Sequence, residues 1–179
     1  LSAAPANQVP TAPVSVVLSL VGSQTLRLLV TPPARSGGPA VTNYIVHWDV
    51  VSTFTGNSAL AGSQTVASSS MTQLGVGGAY VHDISGLTAG QPYYFKVAAI
   101  NSVGSGSATA SAPAYLTPKA APSVPVTMSA TTLKSQATPI TTSGVMWTAP
   151  ASNSGSPITG YLVEWFASEQ VKEIQTIEI

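Results

Sequence analysis

Residues 87–106 read Leu87-Thr-Ala-Gly90-Gln-Pro-Tyr93-Tyr-Phe95-Lys-Val97-Ala-Ala99-Ile-Asn101-Ser-Val-Gly104-Ser-Gly106. Tyr93, Phe95, Val97 and Ala99 alternate with Tyr94, Lys96 and Ala98. Side chains of an extended chain alternate between two faces, so this stretch is a strand with one buried face. Gly90 permits a tight turn before it, and the Gly-Ser-Gly at 104–106 marks another after it.

The same period recurs elsewhere. Leu26, Leu28 and Val30 alternate with Arg27, Leu29 and Thr31; Tyr44, Val46 and Trp48 alternate with Ile45, His47 and Asp49. Clusters rich in Gly, Pro, Ser and Asn separate the runs at 32–40, 86–92 and 101–106. No apolar stripe at helical spacing is long enough for a helix. Strands are expected near 14–21, 25–31, 43–50, 80–87, 93–100 and 108–116, with an edge strand within 62–68. This is the pattern of an all-β, antiparallel sandwich.

Part of the pattern is repeated. Residues 31–50, TPPARSGGPAVTNYIVHWDV, align without a gap on 148–167, TAPASNSGSPITGYLVEWFA, at an offset of 117. Eight of twenty positions match, among them Thr31/Thr148, Tyr44/Tyr161, Val46/Val163 and Trp48/Trp165. Two tandem copies of one sandwich module explain this most simply. The segment 1–10 also resembles 116–125.

The 87–106 segment resembles the signature of fibronectin type III domains. Met146-Trp-Thr-Ala-Pro150, followed by Ile158-Thr-Gly-Tyr161-Leu-Val163, is similar to that family's second and third strands. The resemblance implies an immunoglobulin-like sandwich. Leu87 would close its core, and the Tyr93 hydroxyl would bond back to the preceding corner. Val30 stands where the other copy has Trp147, with the Trp48 ring available to fill the volume. A weaker resemblance links ISGLTAGQPYYFKVAAINSVGSG and ITGYLVEW to large extracellular repeat proteins of unicellular eukaryotes. It implies that the phrase at 173–179 opens a different β module.

The expected organisation follows. Residues 1–12 are a linker from an upstream module, 13–118 a complete module, and 119–125 a short Pro-rich linker. Residues 126–179 are the first half of a second module. The expected core comprises Leu28, Val30, Tyr44, Val46, Ile84, Leu87, Tyr93, Phe95 and Val97, with Trp147, Tyr161 and Val163 in the second copy.

Composition excludes much chemistry. Lys and Arg number 6, Asp and Glu 6, and net charge is zero. A nucleic-acid partner bound through phosphate neutralisation is not expected. With no run of 18 apolar residues, neither is membrane insertion by this segment. The chain has no Cys and two His, which removes disulfides and thiolate sites and leaves little for a metal. His47 and Asp49 share one parity and could form a base and its orienter. The plainer reading is two solvated strand residues. His82 reads as a half-buried packing residue. No nucleophile elbow, alternating run of Asp or phosphate-binding loop before a helix is present. No cofactor, metal or catalytic residue is expected.

Every Asn lacks Ser or Thr two residues on, so N-linked sugars have no acceptor. O-linked sugars have candidates at Ser63, Thr65, Ser68, Ser69, Ser70, Thr72, Thr131, Thr132, Thr138, Thr141 and Thr142. The expected role is a non-enzymatic structural module of a long extracellular or cell-surface repeat protein. Its partners are other copies, neighbouring modules or glycans, in a fibre, matrix or appendage such as a flagellar hair. The alternative is a spacer or adhesion region positioning another domain in a large secreted enzyme or receptor.

Overall fold

The computed structural model describes residues 6–134, 141–167 and 171–178, with side chains for all of these except 132–134, 141–143, 166–167 and 171–175. The chain divides into two compact units, Leu1–Lys119 and Ala120–Ile179.

The first unit is built from β1 (Pro13–Gly22), β2 (Thr25–Pro33), β3 (Asn43–Asp49), β4 (Gly62–Ala67), β5 (Thr72–Gln73), β6 (Tyr80–Ile84), β7 (Tyr93–Ile100) and β8 (Ser105–Leu116). Their order is β4-β3-β7-β8-β1-β2-β6-β5, one curled sheet folded into two layers. The layers join where β8 meets β1 in parallel, Val17 opposite Ala112. β8 reaches across because it bulges. Tyr94 pairs with Tyr115 and Lys96 with Ala110, which leaves residues 111–114 free of β7. A single-turn 3₁₀ segment, Ser68–Ser70, and the two-residue β5 follow β4. Neither carries enough apolar periodicity to show in the sequence.

The alternating residues meet between the layers. Leu28, Val30, Tyr44, Val46, Ile84, Leu87, Tyr93, Phe95 and Val97 are all buried, together with Val16, Leu18, Leu26, Val66 and Met71. Trp48 is partly buried against this cluster, its ring 6.4 Å from that of Phe95. Burial raises the Tyr44 hydroxyl to about 12, so it stays neutral in the core.

The corner before β7 is closed by three backbone donors. Thr88 N–H donates to the Tyr93 hydroxyl at 3.0 Å. Leu87 N–H donates to Gln24 O, and Gly90 N–H to Pro118 O.

At the rim, β2 and β6 place Leu28 opposite His82 and Arg27 opposite Asp83. His82 is therefore on the inner face, half-buried, with Nε2 3.4 Å from Gln64 Oε1. Burial holds its pKa below the ordinary imidazole value despite neighbouring Asp83. Arg27 and Asp83 form a two-pronged ion pair at 2.7 and 2.8 Å. The Arg27 hydrogen bond holds the Asp83 carboxyl below its usual range.

The second unit contains β9 (Pro125–Lys134) antiparallel to β10 (Thr141–Pro150), and β11 (Gly160–Ala167) antiparallel to β12 (Val171–Glu178). Pro125 pairs with Pro150 as Pro13 pairs with Pro33. The phrase at 173–179, expected to open a different module, instead lies within β12 through Glu178. That strand returns along β11 as β4 returns along β3. Trp147, Tyr161 and Val163, expected as core, are half-buried. The Trp147 and Tyr161 rings meet at 5.1 Å. β9–β10 and β11–β12 remain separate two-stranded ladders among the described residues. In the first unit the aligned Val30, Tyr44 and Val46 are instead sealed by the rows on β6 and β7.

Replacing Leu87 by Ala should destabilise the first unit by about 2–5 kcal/mol, with an unchanged urea m-value. Replacing Tyr93 by Phe orphans the Thr88 N–H and should cost about 1 kcal/mol. A third expectation concerns acid. A histidine with a depressed folded pKa binds its proton more readily when unfolded, so stability falls as pH drops through about 6.5. The lowered Asp83 acts in the same direction at lower pH, weakly because the pair is exposed. Melting temperature measured from pH 7.5 to 5 should decline, and His82→Leu should flatten that decline.

Candidate interaction surface

The loops gather buried polar side chains. Asn101 directly follows β7 and is 4% exposed. Its Oδ1 accepts from Val103 and Gly104 N–H, fixing the turn into β8. Its Nδ2 donates at 2.7 Å to both Gln8 O and Ser36 O. One side chain thus ties that turn to the β2–β3 loop and to the segment ahead of β1.

That segment, assigned from sequence to a linker, is bound onto the module. Gln8 N–H donates to Gly37 O and Thr11 N–H to Arg35 O. The Thr11 hydroxyl also donates to Arg35 O and accepts from Arg35 N–H at 3.2 Å. The second unit makes the same four bonds. Ala120 N–H donates to Ser154 O and Ser123 N–H to Ser152 O. The Ser123 hydroxyl donates to Ser152 O and accepts from Ser152 N–H at 3.2 Å. Gly37 and Ser154 both have positive φ. The loop acceptors keep the 117 offset of the repeat. The straps correspond at 112, not at the 115 of the 1–10 and 116–125 alignment. The legible signal was Pro10-Thr-Ala-Pro-Val14 against Pro122-Ser-Val-Pro-Val126.

His47 and Asp49 are not brought together as a base and its orienter. Asp49 is 1% exposed rather than solvated. Its carboxylate accepts from Val50, Val51 and Gly56 N–H, and so shapes the loop after β3. Strand parity missed this because the following loop folds back over the side chain. His47 is half-buried, its pKa lowered by burial and then by Lys96. Lys96 Nζ lies 4.3 Å from the centre of the Phe54 ring. These residues, with Trp48, Gly62 and Ser63, line a shallow open cleft of about 270 Å³. It contains no nucleophile paired with a base. No group of three or more His, Cys, Asp or Glu among the described residues is placed to hold a metal. None of their helices is long and apolar enough to cross a membrane.

β4 is one outer strand of the sheet. No charged residue occurs from Val50 through His82, so this edge lacks the Lys or inward charge that discourages pairing. Ser63, Thr65, Ser69, Ser70 and Thr72 are exposed on it and beside it. Ser68 is half-buried, its hydroxyl donating to Thr42 O at 3.1 Å and also reaching Val41 O. The Ser70 hydroxyl donates to Ala67 O. Both hydroxyls therefore have structural work in the turn. Thr131 is exposed. Thr138 lies outside the described residues, as do the side chains of Thr132, Thr141 and Thr142.

Part of the chain is similar to known proteins. A Danio rerio protein, Ankyrin repeat and fibronectin type-III domain-containing protein 1, is 36% identical over 114 residues. The match covers 64% of this chain and only 7% of that protein. Among solved structures, domains A168–A170 from titin match at 23% identity and a TM-score of 0.47, over 63% of this chain and 33% of that one. The twitchin kinase region from C. elegans matches at 22% identity and a TM-score of 0.38, over 56% and 15%. The Fibronectin type III domain family itself matches residues 11–117. That stretch is more than half of the chain and holds the whole β1–β8 sandwich, so the chain belongs to the fibronectin type III family.

Proposed function

We propose that the chain is a non-enzymatic structural segment of a tandem fibronectin type III array, working at the cell surface or outside the cell. The observation that carries this reading is the repeated plan of the two units. Each has a hydroxyl-clamped strap, a Pro-bounded first ladder and a third strand partnered by the next one. An array of such modules serves as a spacer that presents surface rather than chemistry.

Assembly with other copies into a fibre, matrix or appendage such as a flagellar hair is supported by the β4 edge. A strand edge offers unpaired N–H and C=O groups, and this one carries no charge to repel a partner strand. With few charges anywhere, close packing costs little desolvation. Ser/Thr-linked sugars at Ser63, Thr65, Ser69, Ser70 and Thr72 are the competing cover for the same edge. The alternative role, a spacer positioning another domain, is favoured by the relative whose printed name joins this module to ankyrin repeats.

Sedimentation of the full chain should show concentration-dependent association. Thr65→Lys should weaken it several-fold while leaving the melting temperature unchanged. Protein from the native source should instead be monomeric if the 63–72 peptide carries added hexose mass. An unmodified native protein that stays monomeric at high concentration refutes both covers of the edge. It would leave the spacer role.

A further inference from the structure

The strap ahead of β1 and the strap ahead of β9 share four hydrogen bonds but almost no loop sequence. Arg35-Ser-Gly37 accepts one strap and Ser152-Asn-Ser154 the other. The loops vary freely because they offer only backbone N–H and C=O groups. What recurs is a side-chain hydroxyl, Thr11 or Ser123, bonded in both directions to a single loop residue. It stands between two prolines, Pro10 and Pro13 or Pro122 and Pro125. Proline fixes φ and holds the strap extended before it docks, so little conformational freedom is lost on docking.

The first unit adds room and a second tether. A side chain at Gly37 would strike the Gln8 carbonyl, and one at Gly106 would strike the Pro10 carbonyl. Pro10 is buried, and Asn101 Nδ2 also donates to Gln8 O.

We propose that this strap is a latch through which tension on the chain enters each unit. The load arrives at the loop after the second strand, and in the first unit also at Asn101, before it reaches the first strand. The topology requires the order. Gln8 and Thr11 precede Pro13, so a pull from the N-terminal side must break their bonds before β1 can peel from β2. Asn101 directly follows β7, which is bonded to a strand on each side. Force is thereby spread into the middle of one layer instead of onto a single ladder. A spacer under load gains from this, because its joints resist before its sandwiches open.

The test is the full chain held by its two ends in an optical trap. Thr11→Val removes the hydroxyl and keeps the shape. It should lower the force at which the first unit opens. A short lengthening of roughly 2 nm, about five residues of extended chain, should precede the main step. Thr11→Ser should retain the wild-type force, because Ser123 already does this work in the second unit. Gly106→Ala, whose Cβ would strike the Pro10 carbonyl, should act like Thr11→Val. Hydrogen exchange on the untethered protein separates a lost latch from a lost fold. Val97 should stay protected in every variant, while the Gln8 amide in Thr11→Val exchanges at least about tenfold faster. The proposal is overturned if the wild-type Gln8 amide exchanges like free peptide. It is equally overturned if Thr11→Val speeds Gln8 exchange yet opens at the wild-type force.

Discussion

The hydrogen bond from Thr88 N–H to the Tyr93 hydroxyl is the constraint on which the first unit turns. It joins the end of one layer to the first residue of the central strand of the other. With that corner fixed, the inner row Tyr93, Phe95, Val97 and Ala99 faces Leu26, Leu28 and Val30 across the sandwich, and all seven are buried. A phenol suits the position because its ring is apolar enough for the core while its tip satisfies a backbone group that would otherwise be orphaned. The corner is also locked from outside by Gly90 N–H to Pro118 O, so the strand after the turn and the tail after β8 share one anchor.

Elsewhere the fold spends its few buried polar side chains on loops. Asp49 gathers three backbone N–H groups, and Asn101 accepts two and donates two. No buried side-chain nitrogen or oxygen among the described residues lacks a partner. In a chain without cysteine, such side chains do what disulfides do in other small sandwiches. They tie long connections to the rigid strands, in an interior where an unpaired polar group would be costly.

Much of this was legible in the sequence because strands announce themselves by parity. Tyr44, Val46, Phe95 and Val97 are inward for the same reason that they alternate. Parity failed where the chain leaves a strand. Asp49 sits on the outward side of β3 yet is buried, because residues 50–56 wrap back to it and no local pattern encodes that return. It failed again at Thr11, where the decisive bonds are to backbone atoms of Arg35, which carry no residue signature. Between the two straps, the structural correspondence runs through one hydroxyl between two prolines rather than through the alignment of highest identity at 1–10. Trp147 and Tyr161 share the alternation of Val30 and Tyr44 but are only half-buried. How deeply they are buried depends on what lies over them, and that is not a property of their own strands.

The parallel contact of Val17 with Ala112 joins the first strand of the unit to the last. Until Ala112 has left the ribosome, β1 is paired only with β2, and its other edge has no strand to join. Closing so large a loop is slow, and the partly built unit is adhesive while it waits. The module is therefore a unit of synthesis as well as of structure. With only Arg27, Arg35 and Lys96 against Asp49 and Asp83 between Pro13 and Pro118, the nascent unit has little charge to hold it apart from other nascent chains while it stays open.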